Sequence, residues 1–256
     1  MLTLQYPYMR KLRRLYYGCR PRAGVVAGDG PIYGELRLGS FHNIVLALQK
    51  YTNIDQDSIF LDIGSGLGKP CVHVAYVVGC RCVGIEIVGA RWRQSLDSVS
   101  AAKRVCKSFP TPLMLHADMR SMESLSPFTH VFAFDSCYTS DDLCTLLNLF
   151  NNSTCTALVS FCNPKKAARH GLHDCECPVT IQVRMRGSGE RHTAYIYRKT
   201  GGTRTQLQLP PVPDNYSHAA SYSDALSTPV DEWTMLQLKH RRPTRKRKRK
   251  PPGVLL

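Results

Sequence analysis

Short apolar runs alternate with segments of helical periodicity over the first two thirds of the chain, and this alternation predicts the order of its elements. A run that is apolar throughout is typical of a strand covered on both faces, as in a parallel sheet. Such runs predict strands at 59–63, 82–86, 113–117, 131–135 and 156–161. The segments between them predict helices that begin with Ser40 as N-cap, at Pro70, at Gly89 and at Asp141. Repeated β-α units of this kind predict an α/β fold with a mostly parallel sheet.

Three glycines at alternate positions follow the first predicted strand, in the run Phe-Leu-Asp-Ile-Gly-Ser-Gly-Leu-Gly-Lys from Phe60 to Lys69. Glycine accepts a positive φ and lets a ligand approach the backbone closely. The three residues therefore predict a strand-to-helix turn that binds a nucleotide-like molecule: Gly64, Gly66 and Gly68. A phosphate-binding P-loop would need glycine at the position of Ile63 and Ser or Thr at that of Pro70. The dinucleotide motif G-x-G-x-x-G matches weakly, because its last position falls on Lys69 or Cys71.

Acidic residues follow the ends of successive predicted strands. Ligands of an open α/β sheet bind outside the carboxyl ends of its strands, and four acids fall there: Asp62, Glu86, Asp118 and Asp135. A single acid is more often a helix cap or a solvated loop residue, but four at consecutive strand ends favour a cofactor site. The pattern D-x-G-x-G-x-G, with an acid ending the next strand, resembles that of S-adenosylmethionine (SAM) enzymes of the Rossmann-like class. In this geometry Glu86 can accept the ribose hydroxyls, Asp118 with the Met119 backbone can hold the adenine amino group, and Asp62 can orient the turn and the cofactor's ammonium.

The end of the predicted domain differs from its beginning. Residues 179–185 and 193–198 alternate in the strand manner around Gly187-Ser188-Gly189, which predicts an antiparallel hairpin. A mostly parallel sheet that ends in such a hairpin resembles the class I methyltransferase version of the doubly wound fold. The predicted organisation is a basic N-terminal arm at 1–30, a catalytic domain at 31–200, a Pro/Ser-rich linker at 201–238 and a basic tail at 239–256.

Composition narrows the class of protein. A chain of 256 residues with 43% hydrophobic content can bury one sizeable core. It contains no run of eighteen apolar residues, so neither a membrane span nor a signal peptide is expected. The cysteines number 11, and several of them fall in predicted strands: Cys82, Cys155 and Cys162. Reduced thiols in an intracellular protein are the simplest interpretation.

The net charge of +15 lies mainly outside the predicted domain. Six of the 34 Lys and Arg residues precede position 31 and nine lie between Lys239 and Lys250, so the 19 basic residues of 31–238 face 18 acids. A neutral domain with basic flanks, Arg10 to Arg22 and Lys239 to Lys250, fits a DNA partner through counterion release. A nuclear import signal or a solubilising tail would have the same composition.

One cluster of possible metal ligands requires comment. It has the spacing H-x₂-H-x-C-x-C and comprises His170, His173, Cys175 and Cys177. This spacing matches no common structural zinc site. We therefore predict a loop between strands and no metal.

The motif Tyr-Gly-Glu, Tyr33 to Glu35, lies a short distance before the glycine turn. This combination resembles the disruptor-of-telomeric-silencing family, the histone lysine methyltransferases that lack a SET domain. The resemblance covers about residues 32–199 and includes Gly84-Ile85-Glu86 and the segment from Ser160 to Pro164. The family's Asn-Asn-Phe is Phe134-Asp135-Ser136 here, its Gln after the glycines is Lys69, and its Asp-Phe pair is Asp118-Met119.

The resemblance implies functional residues. Tyr33 would lie against the cofactor's methionine end, and Tyr195 would help to line a lysine channel. The cofactor-binding residues implied in full are Tyr33, Glu35, Asp62, Gly64, Gly66, Gly68, Lys69, Glu86, Asp118 and Met119. Lysine methylation needs a neutral amine, which a channel of aromatic side chains beside a sulfonium favours by desolvation and like-charge repulsion. The catalytic candidates are Tyr33, Tyr138 and Tyr195, with Asp135 as a polar orienter.

The resemblance and the charge distribution together give the functional expectation. We expect a nuclear, SAM-dependent methyltransferase that acts on a lysine of the histone H3 globular core in nucleosomes. A class I methyltransferase for another protein or an RNA is the alternative among enzymes. Methylation of base amines is disfavoured, because the Asn/Asp-Pro-Pro-aromatic motif of those enzymes is replaced by Phe134-Asp135-Ser136-Cys137-Tyr138. A catalytically silent chromatin-binding protein is the alternative outside enzymes.

Overall fold

Seven strands form one sheet in the order β3-β2-β1-β4-β5-β7-β6 in the computed structural model, which describes residues 7–18 and 33–200. Strands β1 to β5 run parallel, whereas β7 is antiparallel to both β5 and β6. The strands are β1 Ile59–Ile63, β2 Arg81–Glu86, β3 Leu113–His116, β4 His130–Ala133, β5 Ala157–Ser160, β6 Cys175–Arg184 and β7 Arg191–Lys199. The predicted mostly parallel sheet with a terminal hairpin is therefore confirmed.

Six helices cover the two faces of the sheet in the described residues. They are α1 Pro7–Gly18, α2 Leu38–Thr52, α3 Lys69–Val78, α4 Gly89–Val105, α5 Ser140–Asn151 and α6 Pro164–Arg169, with short 3₁₀ helices at Met119–Ser121 and Asp135–Cys137. One apolar core lies on the face covered by α1 to α4, and a second lies on the face covered by α5 and α6. Because both faces are covered, all five residues of β1 are buried.

The strand order reverses at β1, which pairs with β2 on one side and with β4 on the other. Connections leave such a switch point in opposite directions, so a crevice opens beyond the carboxyl ends of these two strands. The turn after β1 and the 3₁₀ helix after β4 both lie at this crevice. The topology therefore places the glycine turn where an open α/β sheet binds its ligand.

Three helix starts differ from the predictions, and that of α3 lies at Lys69, one residue before the predicted Pro70. Helix α2 begins at Leu38, and Ser40 lies inside it and does not cap it. The Ser40 hydroxyl accepts a hydrogen bond from the backbone N–H of Arg184 at 3.0 Å, so it ties α2 to the end of β6. Helix α5 begins one residue before Asp141, because Thr139 and Asp142 form a capping box.

The segment around the His/Cys cluster also differs from its prediction. Residues 164–169 form α6 and β6 begins at Cys175, so Cys175 and Cys177 lie in a strand and not in a loop. A β-bulge between Glu176 and Val179 shifts the register of β6. The regular alternation of side chains that predicts a strand therefore does not extend back to Cys175 and Cys177. In the described residues no three His, Cys, Asp or Glu side chains converge on a point that could hold a metal ion.

Part of the predicted N-terminal arm is helical. Helix α1 packs against α3 and α4, and Leu12 and Leu15 contribute to the core on that face. Its basic residues Arg10, Lys11, Arg13 and Arg14 are exposed. Predicted segments 201–238 and 239–256, and the rest of 1–30, lie outside the described residues. No helix within the described ranges is long and apolar enough to cross a membrane.

Candidate active site

The turn after β1 has the geometry that its glycines predict. Gly64, Gly66 and Gly68 have φ values of +74°, +53° and +74°, in the region that L-residues rarely adopt. The backbone N–H groups of Gly64 and Ser65 both donate to the carbonyl of Ile85 at 2.9 Å, which fastens the turn to β2. A Cβ atom on Gly66 would lie 2.6 Å from a ring carbon of Tyr33. Conformation and space therefore both require glycine at this position.

Glu86, at the end of β2, holds the same turn from the other side. Its carboxylate accepts the N–H of Gly66 and the N–H of Val88, each at 2.8 Å. The side chain is almost fully buried. Each carboxylate oxygen retains a further lone pair, so Glu86 can accept hydroxyl groups of a ligand while it stays fixed by the main chain.

Gly84 is a structural requirement that sequence reasoning missed. A Cβ atom there would lie 2.4 Å from the Met114 side chain and 2.8 Å from the side chain of Ser65. Because Ser65 belongs to the glycine turn, a larger residue on β2 would push the turn outward. This requirement could have been predicted from the sequence, because a glycine within an otherwise apolar strand often marks a place where another segment approaches closely.

Glu35 is the centre of a charged network. Its Oε1 accepts a hydrogen bond from the Tyr33 hydroxyl and lies 2.5 Å from the Lys69 ammonium, and its Oε2 lies 2.8 Å from the Arg186 guanidinium. Burial acts to raise the pKa of Glu35, but the charge and hydrogen bond of Lys69, followed by the hydrogen bonds of Tyr33 and Arg186, hold it below its ordinary value. Sequence reasoning missed Arg186, which lies about 150 positions away in the chain.

Residues 33–37, here called the strap, are fixed across the β6–β7 hairpin. The Arg186 N–H donates to the Glu35 carbonyl at 2.7 Å, and the Arg37 N–H donates to the Arg184 carbonyl at 2.9 Å. On the other side of the strap, the Arg91 guanidinium lies over the Tyr33 ring at 5.3 Å from its centroid. The Tyr-Gly-Glu motif is thereby held directly over the glycine turn.

Two adjoining cavities open at this place. The larger, of about 150 Å³, is lined by Glu86, Asp118, Met119, Tyr138 and other residues. The smaller, of about 40 Å³, is lined by Glu35, Asp62, Gly66 and Lys69 among others. Both are also lined by Tyr33, Gly34, Gly64 and Phe134. The structure thus brings every cofactor-binding candidate to one crevice except Gly68, which lies behind it as the left-handed N-cap of α3.

Two acids at the crevice differ in their environments. Asp62 is almost fully buried beneath the turn, and burial, followed by the charge of Glu86, raises its pKa well above the ordinary range. A cationic ligand group beside it would oppose this shift. Asp118 caps the following 3₁₀ helix by accepting the Arg120 N–H at 2.9 Å, and it also lines the larger cavity.

The catalytic candidates divide into two groups. Tyr33 and Tyr138 line the cavities, whereas Asp135 and Tyr195 do not. Asp135 accepts the Ser160 hydroxyl at 2.5 Å and the Phe161 N–H at 2.6 Å, so it joins the ends of β4 and β5. Burial raises the pKa of Asp135 to about 6. The structure therefore gives Asp135 a positioning role beneath the site.

Tyr195 lies on the opposite face of β7 from the strap. Its ring stacks on Tyr197 with centroids 6.4 Å apart, and both pack against the core on the α5 and α6 face. Because side chains alternate along a strand, the other face of β7 carries His192, Ala194 and Ile196. His192 and two phenylalanines, Phe134 and Phe161, form an aromatic cluster with centroids 4.5–6.2 Å apart. Sequence reasoning did not identify this cluster.

Comparison with known proteins finds one family whose model matches part of the chain, and solved structures with a similar fold. The family described as "Histone methylation protein DOT1" matches residues 26–116, a range that includes the strap, the glycine turn and Glu86. A comparison with curated proteins finds no matching sequence.

Among solved structures, magnesium protoporphyrin IX methyltransferase (ChlM) from Synechocystis PCC 6803, crystallised with bound SAM, aligns with a TM-score of 0.50 and 14% identity, over 76% of this chain and 92% of that chain. An RNA methyltransferase from Salinibacter ruber in complex with S-adenosyl-L-homocysteine aligns with a TM-score of 0.44 and 17% identity, over 67% and 96% of the two chains. The first likeness concerns the fold alone, and the second is too loose to support an argument. The chain therefore has the fold of the class I SAM-dependent methyltransferases, and its residues 26–116 are similar to the DOT1 histone methylation family.

Proposed function

We propose that this protein is a SAM-dependent histone-lysine N-methyltransferase that acts on the globular core of histone H3 in nucleosomes. The observation that carries the proposal is the position of the family motif. The Tyr33 hydroxyl and the Lys69 ammonium meet at Glu35 directly over the glycine turn, so the Tyr-Gly-Glu segment is part of the crevice wall.

The crevice residues fit SAM. In the larger cavity Glu86 would accept the ribose hydroxyls, and Asp118 with Met119 would hold the adenine amino group. In the smaller cavity Lys69 would attract the methionine carboxylate and Asp62 would face the ammonium. A side chain on Gly66 would fill the space between them, since its Cβ would already reach the ring of Tyr33. Bound SAM supplies a methyl group activated by a positively charged sulfur.

The protein's own contribution to transfer is orientation and desolvation. A free lysine is neutral in only roughly one molecule in 10³ at pH 7, and only the neutral amine attacks the methyl carbon. The rings of Phe134 and Tyr33 line both cavities and that of Tyr138 lines the larger one, and together they would exclude water from the amine. A dry site beside a sulfonium lowers the pKa of the amine and aligns nitrogen, carbon and sulfur. In this scheme Tyr195 stays a proposed outer residue of the lysine channel.

The substrate and the location are supported by family and charge. The DOT1 match names histone methylation, and the exposed basic face of α1 suits an anionic partner. In the proposal the basic flanks, Arg10 to Arg22 and Lys239 to Lys250, contact nucleosomal DNA in the nucleus. Such contacts would position the crevice over the histone octamer.

The test is transfer of label from labelled SAM to nucleosomes and, separately, to free histones. We expect label on H3, at a lysine of the globular core when the product is mapped by mass spectrometry. The matched control is Gly66→Arg, which fills the cofactor crevice and should transfer nothing. Label on RNA or on another protein, with none on H3, would reject the histone proposal in favour of another class I methyltransferase.

A further inference from the structure

The β6–β7 hairpin packs an imidazole against Phe134, a ring that lines both cavities, although the imidazole itself lines neither. His192 is the second residue of β7 and pairs with Val183 of β6. Its ring meets Phe134 edge-on at 5.6 Å and Phe161 at 6.2 Å between centroids. Phe134 in turn lines both cavities, at their junction. From this arrangement we propose that His192 accepts the proton of the substrate ammonium before methyl transfer.

Three carboxylates at or beneath the crevice are already engaged, and in the proposed function the other two, Asp62 and Asp118, serve the cofactor. Glu35 holds Tyr33, Lys69 and Arg186, and Glu86 accepts two backbone N–H groups. Asp135 lies beneath the site with one oxygen bonded to Ser160 at the end of β5 and the other to Phe161, the next residue. If one of these carboxylates took the proton of an amine that approaches along Phe134, it would lose part of its charge network. A different proton acceptor would leave the networks intact. His192 is a neighbouring side chain with a ring nitrogen that can accept a proton.

A carboxylate orients the imidazole. Nε2 of His192 lies 3.3 Å from Oε1 of Glu190. The Glu190 side chain is exposed at the hairpin turn. If Nε2–H points to Glu190, Nδ1 is the basic nitrogen, and the imidazolium formed after proton transfer is stabilised by the same carboxylate. β4 and β5 present the rings of Phe134 and Phe161 to His192. The charged groups on other elements in this region are the Glu35–Arg186 ion pair and Arg184 of β6, which projects from the opposite face of the hairpin because Val183 is the residue paired with His192.

The step balances without any additional reactant. The lysine ammonium gives one proton to His192 and keeps the electron pair on nitrogen. That pair forms the new N–C bond to the methyl carbon while the C–S bond breaks and its electrons go to sulfur. The sulfonium becomes a neutral thioether and the product is a methylated ammonium. The imidazolium then returns its proton to solvent past Glu190.

This inference rests on the proposed transfer to a lysine amine, and single-turnover kinetics across pH 6 to 9.5 test it. At pH 7, His192→Gln and His192→Phe should slow methyl transfer to nucleosomal H3 by about 100-fold, the lower end of the usual contribution of general bases. SAM affinity, measured by calorimetry, and the KM for nucleosomes should stay within about twofold, because the change affects the transition state alone. The deficit should shrink as pH rises toward the pKa of lysine, since free amine then becomes abundant. His192→Phe keeps the aromatic wall and separates base catalysis from packing.

His170→Gln is the matched control, because His170 is the C-cap residue of α6, where its ring contacts the Lys166 carbonyl at 2.9 Å, away from the crevice. It should leave the pH profile unchanged. Profiles of His192→Gln and wild type that run parallel at all pH values would overturn the role of His192, as would a loss explained by weakened SAM binding. A wild-type protein that methylates no histone would reject the proposed function and this inference together. An active wild type with parallel profiles would reject only the inference.

Discussion

Replacing Glu35 by glutamine should destabilise the protein far more than loss of an ordinary surface ion pair. The Glu35 carboxylate is 11% exposed and Lys69 is 3% exposed, so neither charge has much contact with water. Removing one partner of such a pair leaves a buried charge without compensation and typically costs about 3–5 kcal/mol. Here Arg186, one-third exposed, would also lose its partner. We therefore expect Glu35→Gln to lower the free energy of unfolding by about 3–5 kcal/mol.

The matched control lies on the β6–β7 hairpin, to which the strap is hydrogen-bonded. Glu176 and Arg198 form an ion pair whose two side chains are 45% and 44% exposed. Pairs of this kind contribute about 0–1 kcal/mol, because solvent screens both charges. Urea unfolding followed by circular dichroism should give a large change for Glu35→Gln and a small one for Glu176→Gln, with equal m-values.

A double variant tests the mechanism of the loss. Glu35→Gln with Lys69→Gln removes both buried charges, so it should recover about 1–3 kcal/mol relative to the sum of the single changes, within the usual range for residues in contact. The direction in which stability changes with pH follows from the lowered pKa of Glu35. Its contribution is present above the ordinary value of 4.5 and is lost as pH falls through the native value. Additive single changes, or equal losses for Glu35→Gln and Glu176→Gln, would refute this account.

Three further predictions concern the turn, the core and the tail. Gly66→Ala should weaken SAM binding at least tenfold in calorimetry, because a left-handed Ala costs about 1–2 kcal/mol and its Cβ meets Tyr33 at 2.6 Å; unchanged affinity would contradict the assigned site. Burial, followed by His42, lowers the pKa of His73 well below 6.5, so stability should fall by up to about 1.4 kcal/mol per pH unit below pH 6.5. His73→Leu should flatten that slope in urea titrations, and an unchanged slope would mean that other groups titrate. Removing residues 239–256 should reduce activity more on nucleosomes than on H3 peptides, and more at low salt than at high salt; equal losses would assign the tail to another role.

The local features of the site could be predicted from the sequence, because local rules determine them. A positive φ after a buried strand favours glycine, and parallel strands bring their carboxyl ends to one edge, so the turn and Glu86 follow from residues close together in the chain. The strand positions followed for the same reason, since a strand covered on both faces must be apolar.

The features that the sequence did not reveal depend on long-range pairing. The contact of Arg186 with Glu35 exists only because the hairpin lies beside the strap, which no local pattern encodes. The face on which Tyr195 lies depends on strand parity, and one residue of register exchanges it with Ala194. Ser40 has the residue type of an N-cap, yet its hydroxyl accepts a hydrogen bond from the backbone N–H of Arg184 at the end of β6. In each case a tertiary partner determines the role of a side chain that local propensity leaves open.

Glu35 connects the two halves of the proposed chemistry. Through Lys69 it holds the start of α3 at the cofactor turn, and through Arg186 it holds the hairpin that carries His192. The backbone of the strap adds two hydrogen bonds to the same hairpin. A displacement of the strap would therefore move the methionine end of the crevice and the proposed proton acceptor together. In the proposed chemistry the cofactor and the proton acceptor both act on one substrate nitrogen, so a shared support that fixes their separation gives a physical reason for a buried charge network at this position.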